Sequence, residues 1–209
     1  MQTTTPYFQA SNLSCVRGER TLFADLNFSL DAGQCLHVIG PNGSGKTSLL
    51  RILVGLSQAE SGHVYCQGET IWRDTDYLSQ CAYIGHKDAI KDELTTFENL
   101  RFYHQLENRN DEDLVDHQLA RMGILECADL TANKLSFGQR RRLAFARLLL
   151  GQFKLWILDE PFTGIDHQGR ELIEDICLSH LKNEGAIILT NHQSLAASQF
   201  ADRLLELQL

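Results

Sequence analysis

The chain has 209 residues, of which 43% are hydrophobic, and a formal net charge of -8 at pH 7. This length predicts a single α/β domain, and the apolar content is sufficient for a full core. The acidic charge argues against a broad nucleic-acid surface, although Arg140–Arg142 on one predicted helix leaves a local basic patch open. The N-terminal residues lack a signal-peptide pattern, and no segment reaches the roughly 18 apolar residues that a membrane-spanning helix needs.

In the first third of the chain, the sequence pattern predicts short strands and turns. Residues 26–30 alternate apolar and polar side chains, as a half-buried strand does. The apolar run Cys35–Ile39 predicts a second strand, and the apolar spacing over 49–54 predicts a helix. Six scattered cysteines without a C-x-x-C pair favour buried thiols in a reducing compartment over a disulfide framework.

A glycine-rich loop with the sequence Gly-Pro-Asn-Gly-Ser-Gly-Lys-Thr joins that strand to that helix at residues 40–47. The spacing G-x-x-x-x-G-K-T is typical of a phosphate-binding loop, in which glycines let backbone N–H groups face the phosphates. Lys46 adds a positive charge, the Thr47 hydroxyl can ligate Mg²⁺, and the positive end of the following helix attracts anions. The sequence therefore predicts binding of a nucleoside triphosphate.

The middle of the chain, from about residue 94 to about residue 147, predicts mainly helices with charge clusters. We interpret it as a helical subdomain within one domain that spans residues 1–209. Near its end, Ser136 is followed three residues later by Gln139, which is the pattern of a helix capping box. A capped helix start beside the small residue Gly138 can also bind an anion such as a γ-phosphate.

Two apolar runs near the end of the chain, at 155–158 and 186–189, predict central strands of a parallel sheet. The polar residues that follow them are Asp159, Glu160, Thr190, Asn191 and His192. Because open parallel sheets bind ligands beyond the carboxyl ends of their strands, we expect these residues to meet the phosphate loop. Asp159 would hold Mg²⁺ and Glu160 would orient the attacking water, the alternative being a solvated acidic turn.

These motifs together resemble the ATP-binding cassettes of the ABC family. The run Leu135–Gln139 is similar to the L-S-G-G-Q signature sequence of that family, and the resemblance spans nearly the whole chain. It implies an α/β fold of the P-loop NTPase type, with a mainly parallel core sheet, an antiparallel β subdomain and a helical subdomain. It also implies that two cassettes close head to tail around two ATP molecules, each signature sequence facing the ATP of its partner.

The resemblance assigns roles to individual residues. Nucleotide binding is implied for Gly40, Pro41, Asn42, Gly43, Ser44, Gly45, Lys46, Thr47 and Ser48, and Mg²⁺ binding for Thr47 and Asp159. Glu160 is implied as the catalytic carboxylate and His192 as the switch histidine near the γ-phosphate. Ser136, Gly138, Gln139 and Asp166 are implied to act on the ATP of a second copy.

Two positions depart from the pattern of the family. His86 stands where most members have a glutamine, and Arg17 stands where an aromatic side chain usually stacks on adenine. Since a guanidinium plane can also stack on a base, we predict that Arg17 contacts adenine. Our hypothesis for His86 is that it contacts the nucleotide site and makes it pH-sensitive near neutrality.

Four sequence segments are similar to one particular group of the family, the ATP-binding subunits of the bacterial cytochrome c maturation system. These segments are residues 84–91, 98–104, 155–163 and 188–193. This similarity implies integral membrane subunits of that complex and a second copy of the cassette as partners, and no nucleic acid. It places the chain peripherally on the cytoplasmic face of the inner membrane. ATP hydrolysis would be linked to haem export or to release of a haem-loaded periplasmic chaperone.

Three alternatives remain open at this stage. The chain could be a cassette for another substrate, a soluble ABC ATPase acting on ribosomes or DNA, or a nucleotide-binding subunit without turnover. The second class usually carries two fused cassettes or long coiled-coil insertions, which are missing here, and Glu160 argues against the third. Docking to membrane partners is predicted near 86–102, with Ile90 and Phe97 as exposed apolar candidates.

Overall fold

The computed structural model describes residues 5–106, 111–191, 195 and 198–209. They divide into two compact units. The first unit consists of Met1–Tyr83, Phe153–Pro161 and Cys177–Leu209, and the second consists of Ile84–Gln152 and Phe162–Ile176. The interpretation of the chain as one domain with a helical subdomain stays a prediction.

The regular elements within the described ranges follow the predicted order of strands and helices. The strands are β1 (Phe8–Arg17), β2 (Arg20–Leu30), β3 (Cys35–Ile39), β4 (Ser61–Cys66), β5 (Glu69–Thr70), β6 (Cys81–Ile84), β7 (Leu155–Leu158), β8 (Ala186–Thr190) and β9 (Leu204–Gln208). The helices are α1 (Lys46–Leu53), α2 (Thr75–Gln80), α3 (Thr96–Leu106), α4 (Glu112–Arg121), α5 (Phe137–Leu148) and α6 (His167–Lys182). The strands predicted at 35–39, 155–158 and 186–189 and the helix predicted at 49–54 are confirmed.

Two sheets form the frame of the first unit. An antiparallel sheet has the strand order β2-β1-β4-β5, and a five-stranded sheet has the order β6-β7-β8-β3-β9. Within the second sheet, β3 runs parallel to β8 and β9, and β7 runs parallel to β8. The carboxyl ends of β3, β7 and β8 therefore lie along the same edge of this sheet, as the sequence predicts.

One hydrophobic core joins these sheets to α1. Every residue of β7 and β8 is buried, because a strand covered on both faces needs apolar side chains at successive positions rather than at alternate ones. Leu49, Leu50 and Leu53 of α1 pack into the core with apolar residues of β1, β3, β7 and β8. The six cysteines, all within the described ranges, form no disulfide, and five of them are buried.

The second unit is mainly helical, with α3, α4 and α5 in mutual contact. The three consecutive arginines of α5 each pair with an aspartate of the same unit: Arg140 with Asp92, Arg141 with Asp88 and Arg142 with Asp166. The basic patch that the sequence left open is therefore neutralised by three neighbouring carboxylates. No helix among the described residues is long and apolar enough to cross a membrane.

A half-buried histidine gives the stability of the first unit a pH dependence. The His180 imidazole stacks on the Trp156 indole, with ring centroids 3.8 Å apart and planes inclined by 6°. Burial, assisted by the charge of Lys154, lowers the pKa of His180 to about 4. In the unfolded chain its pKa is about 6.5, so the unfolded state binds more protons between these values. The free energy of unfolding therefore falls as the pH drops through this window.

We expect His180→Phe, which keeps a ring stacked on Trp156, to weaken this acid sensitivity. Between about pH 7.5 and about pH 4.5 the variant should lose about 2–3 kcal/mol less unfolding free energy than the wild type. Urea unfolding at a series of pH values measures this, and the carboxylates cancel in the comparison. His167→Gln, at an exposed position, should keep the wild-type pH dependence; a His180→Phe profile parallel to that of the wild type would contradict the assignment.

Candidate functional site

The phosphate loop takes its shape from glycines in the left-handed backbone region. Gly43 has φ 78° and Gly45 has φ 109°, values that residues with a side chain rarely adopt. A Cβ on Gly45 would also lie only 3.0 Å from Cβ of Leu22 on β2. The glycine at this position therefore allows both the turn and the close approach of β2 to the loop.

Lys46 and Thr47 begin α1 and turn toward different partners. The Lys46 ammonium donates to the backbone carbonyls of Gly40 (2.7 Å) and Pro41 (3.1 Å), so it lies across the loop. Gly45 supplies no side-chain cap to α1, which leaves the first-turn N–H groups available to an anion. The buried Ser44 hydroxyl has no hydrogen-bond partner within the described part of the chain.

A hydrogen-bond network ties the loop to the ends of β7 and β8. The Thr47 hydroxyl donates to Oδ2 of Asp159 at 2.9 Å, and the Thr190 hydroxyl donates to Oδ1 of the same carboxylate at 2.7 Å. Asp159 is only 3% exposed. Both of its oxygens are thus held in fixed directions, one toward the phosphate loop and the other toward the sheet.

Glu160 follows Asp159 in a strained backbone conformation. Its φ is 51°, which costs a residue with a side chain about 1 kcal/mol or more. The Glu160 N–H donates to the Thr190 hydroxyl at 2.9 Å, so one threonine holds both acidic residues. Strain maintained in this way at the end of a strand is typical of residues positioned for chemistry.

These residues line one cavity of about 310 Å³ in the first unit. Its walls are formed by Arg17, Leu22, Asn42, Gly43, Gly45, Lys46, Thr47, Ser48 and Glu160. The structure therefore brings together the predicted phosphate loop, the predicted catalytic carboxylate and Arg17 at the end of β1. Their roles toward a nucleotide stay predictions.

The residues present suit Mg²⁺. A threonine hydroxyl and a carboxylate oxygen 2.9 Å apart are hard oxygen donors beside a phosphate cradle. Among the described residues, no group of three or more His, Cys, Asp or Glu side chains could hold a metal alone. A Mg²⁺ ion held by Thr47 and Asp159 would complete its shell with phosphate oxygens and water.

Five further predicted site residues belong to the second unit. They are Ser136, Gly138, Gln139, Asp166 and His86, which is exposed after β6. The predicted capping box is confirmed, since the Ser136 hydroxyl accepts from the Gln139 N–H (3.2 Å) and the Gln139 side chain accepts from the Ser136 N–H (2.8 Å). His192 lies outside the described residues, so its role remains a prediction.

Several residues near these segments carry contacts that the sequence does not reveal. His37 of β3 is buried, and its Nε2 lies 3.3 Å from the carbonyl oxygen of Asn191, the residue before His192. Burial lowers the pKa of His37, which favours the neutral ring. The sequence places Thr190 beside the predicted site but does not show its hydrogen-bond partners, and it shows Phe137 only as a large residue in the signature sequence. Each depends on contacts between residues that are distant in the chain.

The Thr190 hydroxyl gives a direct test of the network. We expect Thr190→Val, which keeps the shape of the side chain, to destabilise the fold by about 1–3 kcal/mol because two buried hydrogen bonds are lost. Turnover should fall about tenfold, since Asp159 and Glu160 lose their common support. Chemical denaturation and steady-state ATPase assays measure the two effects. Thr190→Ser retains the hydroxyl and should restore most of both; a fully active Thr190→Val would contradict the role.

The fold and this site define the class as a P-loop nucleotide-binding cassette, and comparison with known proteins agrees. The family model described as "ABC transporter" matches residues 23–163. Among solved structures, the ATP-binding cassette MJ0796, in a dimeric post-hydrolysis state bound to ADP and Pi, is similar at a TM-score of 0.83 and 21% identity, covering 97% of this chain and 96% of its own. That identity shows the fold alone.

Curated relatives are more similar in sequence. The cytochrome c biogenesis ATP-binding export protein CcmA of Idiomarina loihiensis is 44% identical over 99% of this chain and 94% of its own length. The protein of the same name from Nitrosomonas europaea is 47% identical over 90% of each chain. The chain belongs to the ABC transporter family of ATP-binding cassettes, within the group of the CcmA proteins.

Proposed function

We propose that this chain is the ATP-hydrolysing subunit of a membrane ABC complex for cytochrome c maturation. The observation that carries the proposal is the cavity in which Glu160 lies beside the phosphate loop, next to the Thr47–Asp159 pair. The assignment to this system is supported by the CcmA relatives, which are named for ATP-binding export in cytochrome c biogenesis. We propose that the hydrolysis serves haem export or release of a haem-loaded periplasmic chaperone.

In the proposed reaction, Lys46 and the N–H groups of the phosphate loop hold the β- and γ-phosphates of ATP. Thr47 and Asp159 would hold Mg²⁺, which would neutralise charge on the phosphate oxygens. Glu160 accepts a proton from the water that attacks the γ-phosphorus, and the bond to the bridging oxygen breaks to release ADP and phosphate. The proposed role of His192 is to contact the γ-phosphate.

We propose that two copies act as a head-to-tail pair. Ser136, Gly138, Gln139 and Asp166 would then face the ATP held by the other copy. This is supported by the capped start of α5, whose remaining first-turn N–H groups suit an anion. The dimeric, ADP-bound cassette with the same fold supports it as well.

We propose that integral membrane subunits bind the segment 86–102 and hold the chain at the cytoplasmic face of the bacterial inner membrane. In the second unit, Ile90 lines a small depression with Leu100, Tyr103 and Leu143. Ile90 and Phe97, expected to be exposed, are both half-buried, because Phe97 carries the Arg101 guanidinium over its ring and Ile90 lies in the depression. The segment 86–102 is the contact surface that we propose.

The decisive experiment is purification of a tagged chain from detergent-solubilised membranes of a bacterium that makes c-type cytochromes. We expect integral subunits of the cytochrome c maturation complex to co-purify, and Glu160→Gln to abolish production of c-type cytochromes without loss of the complex. Recovery of the chain without membrane subunits would contradict the proposal. Co-purification with a different transporter, with normal cytochrome c production in Glu160→Gln cells, would instead identify a cassette for another substrate.

A further inference from the structure

Two segments of the second unit that we propose to face a second copy touch each other through an unusual pair of residues. Phe137 is the first residue of α5, and Gly164 begins the loop Gly164–Asp166. A Cβ built on Gly164 would overlap Cδ1 and Cε1 of the Phe137 ring. The ring therefore occupies the space that a side chain at position 164 would need.

A second contact lies five residues further along α5, at Arg142. The Arg142 guanidinium donates to Oδ1 of Asp166 at 3.1 Å, and the N–H of Gly169 donates to the same oxygen at 2.7 Å. Gly138, four residues before Arg142 and thus on the same helix face, comes close to the loop as well. The first two turns of α5 therefore contact the loop at two points, at Gly164 through Gly138 and at Asp166 through Arg142.

Core packing does not account for the size of Phe137. The side chain is 56% exposed, and a large exposed apolar residue on the first turn of a helix adds little to stability. The L-S-G-G-Q pattern has a glycine at this position, so the ring is a feature of this chain. Among the described residues, the Phe137 ring contacts the loop Gly164–Asp166. The Asp166 side chain at the end of this loop is largely exposed.

We propose that Phe137 is a positioning residue for ATP hydrolysis. Its ring, seated over Gly164 and reinforced by the Arg142–Asp166 ion pair, holds the loop Gly164–Asp166 against the start of α5. Ser136, Gly138 and Asp166 are then presented to a second copy of this chain as one rigid surface. The inference rests on the proposed function, because it requires that this surface completes the site of another copy.

The test is a double-mutant cycle at positions 137 and 164, followed by ATPase kinetics, thermal unfolding and nucleotide affinity. We expect Phe137→Ala to lower kcat about tenfold, as a misplaced catalytic surface does, with Tm and the affinity for ATP nearly unchanged. Phe137→Leu, which refills most of the space over Gly164, should recover most of the loss. Gly164→Ala should lower kcat more, by about thirtyfold or beyond, because the added methyl displaces the ring and the backbone at φ 71° disfavours a side chain.

The coupling is read from the double variant. Phe137→Ala removes the overlap, so the pair Phe137→Ala with Gly164→Ala should turn over at least about threefold faster than Gly164→Ala alone. Gly68→Ala controls for backbone strain, since Gly68 has φ 88° but its nearest neighbour, Thr5, lies 3.7 Å from an added Cβ. That control should lower Tm without lowering kcat.

Two results would overturn the inference. One is a kcat of Phe137→Ala equal to that of the wild type, which is informative even if Gly164→Ala does not fold. The other is a double variant no faster than Gly164→Ala. Either leaves the proposed function intact as long as Glu160→Gln is inactive, whereas turnover by Glu160→Gln would refute the proposed function itself.

Discussion

Replacing Glu160 with glutamine should lower ATP turnover at least about 100-fold, because a positioned general base contributes this much or more. Glutamine keeps the size of the side chain and can keep the strained backbone, so the loss reflects the missing negative charge. The N–H of residue 160 still donates to Thr190, and ATP affinity should therefore remain close to that of the wild type. A stable ATP-bound pair of copies should accumulate because its hydrolysis is blocked.

Phosphate release, ATP binding and the mass of the complex in solution are the measurements for this variant. Glu69→Gln is the matched control, since Glu69 is an exposed glutamate on the short strand β5, in the other sheet of the same unit. It should hydrolyse ATP at the wild-type rate. Turnover by Glu160→Gln above about one tenth of the wild-type rate would exclude a general-base role for this carboxylate.

Removing the Lys46 ammonium is expected to weaken binding of Mg-ATP about 100-fold. Lys46 is only 7% exposed, and its ammonium already donates hydrogen bonds to the carbonyl oxygens of Gly40 and Pro41 in the loop. Two charge-assisted hydrogen bonds to phosphate oxygens, at about 1.5 kcal/mol each, account for this factor. Lys46→Ala also loses the two bonds to the loop, so the apo protein should become slightly less stable.

Titration calorimetry measures the affinity, and the rise of Tm on addition of ATP provides a second readout that should vanish in Lys46→Ala. Lys182→Ala removes an exposed ammonium at the end of α6 and should bind ATP normally. If Lys46→Ala bound ATP within about threefold of the wild type, the phosphate loop would not hold the nucleotide as assigned.

Local sequence patterns predicted much of the fold. The apolar runs at 155–158 in β7 and 186–189 in β8 are continuous because these strands are buried on both faces, and such runs are visible without a structure. The phosphate loop is visible for a similar reason, because its glycines and lysine occupy fixed positions within eight residues. The capping box of Ser136 and Gln139 likewise needs only a spacing of three.

Contacts between distant parts of the chain required the tertiary structure. Thr190 meets Asp159 across 31 residues, and Thr47 meets the same carboxylate across 112 residues. The pairing of each arginine of α5 with an aspartate could not be inferred from the run Arg140–Arg142, which by itself suggested a basic patch. Spacing along the sequence says nothing about which oxygens a buried side chain will face.

The sequence by itself determined that this chain binds a nucleoside triphosphate and which family it belongs to, because both depend on local motifs with strict spacing. The tertiary structure decided how the motifs are held: a single threonine fixes both acidic residues, and a phenylalanine ring takes the place of a side chain at Gly164. These features depend on which segments the packed strands and helices bring within a few ångströms, and that is set by the burial of the whole chain.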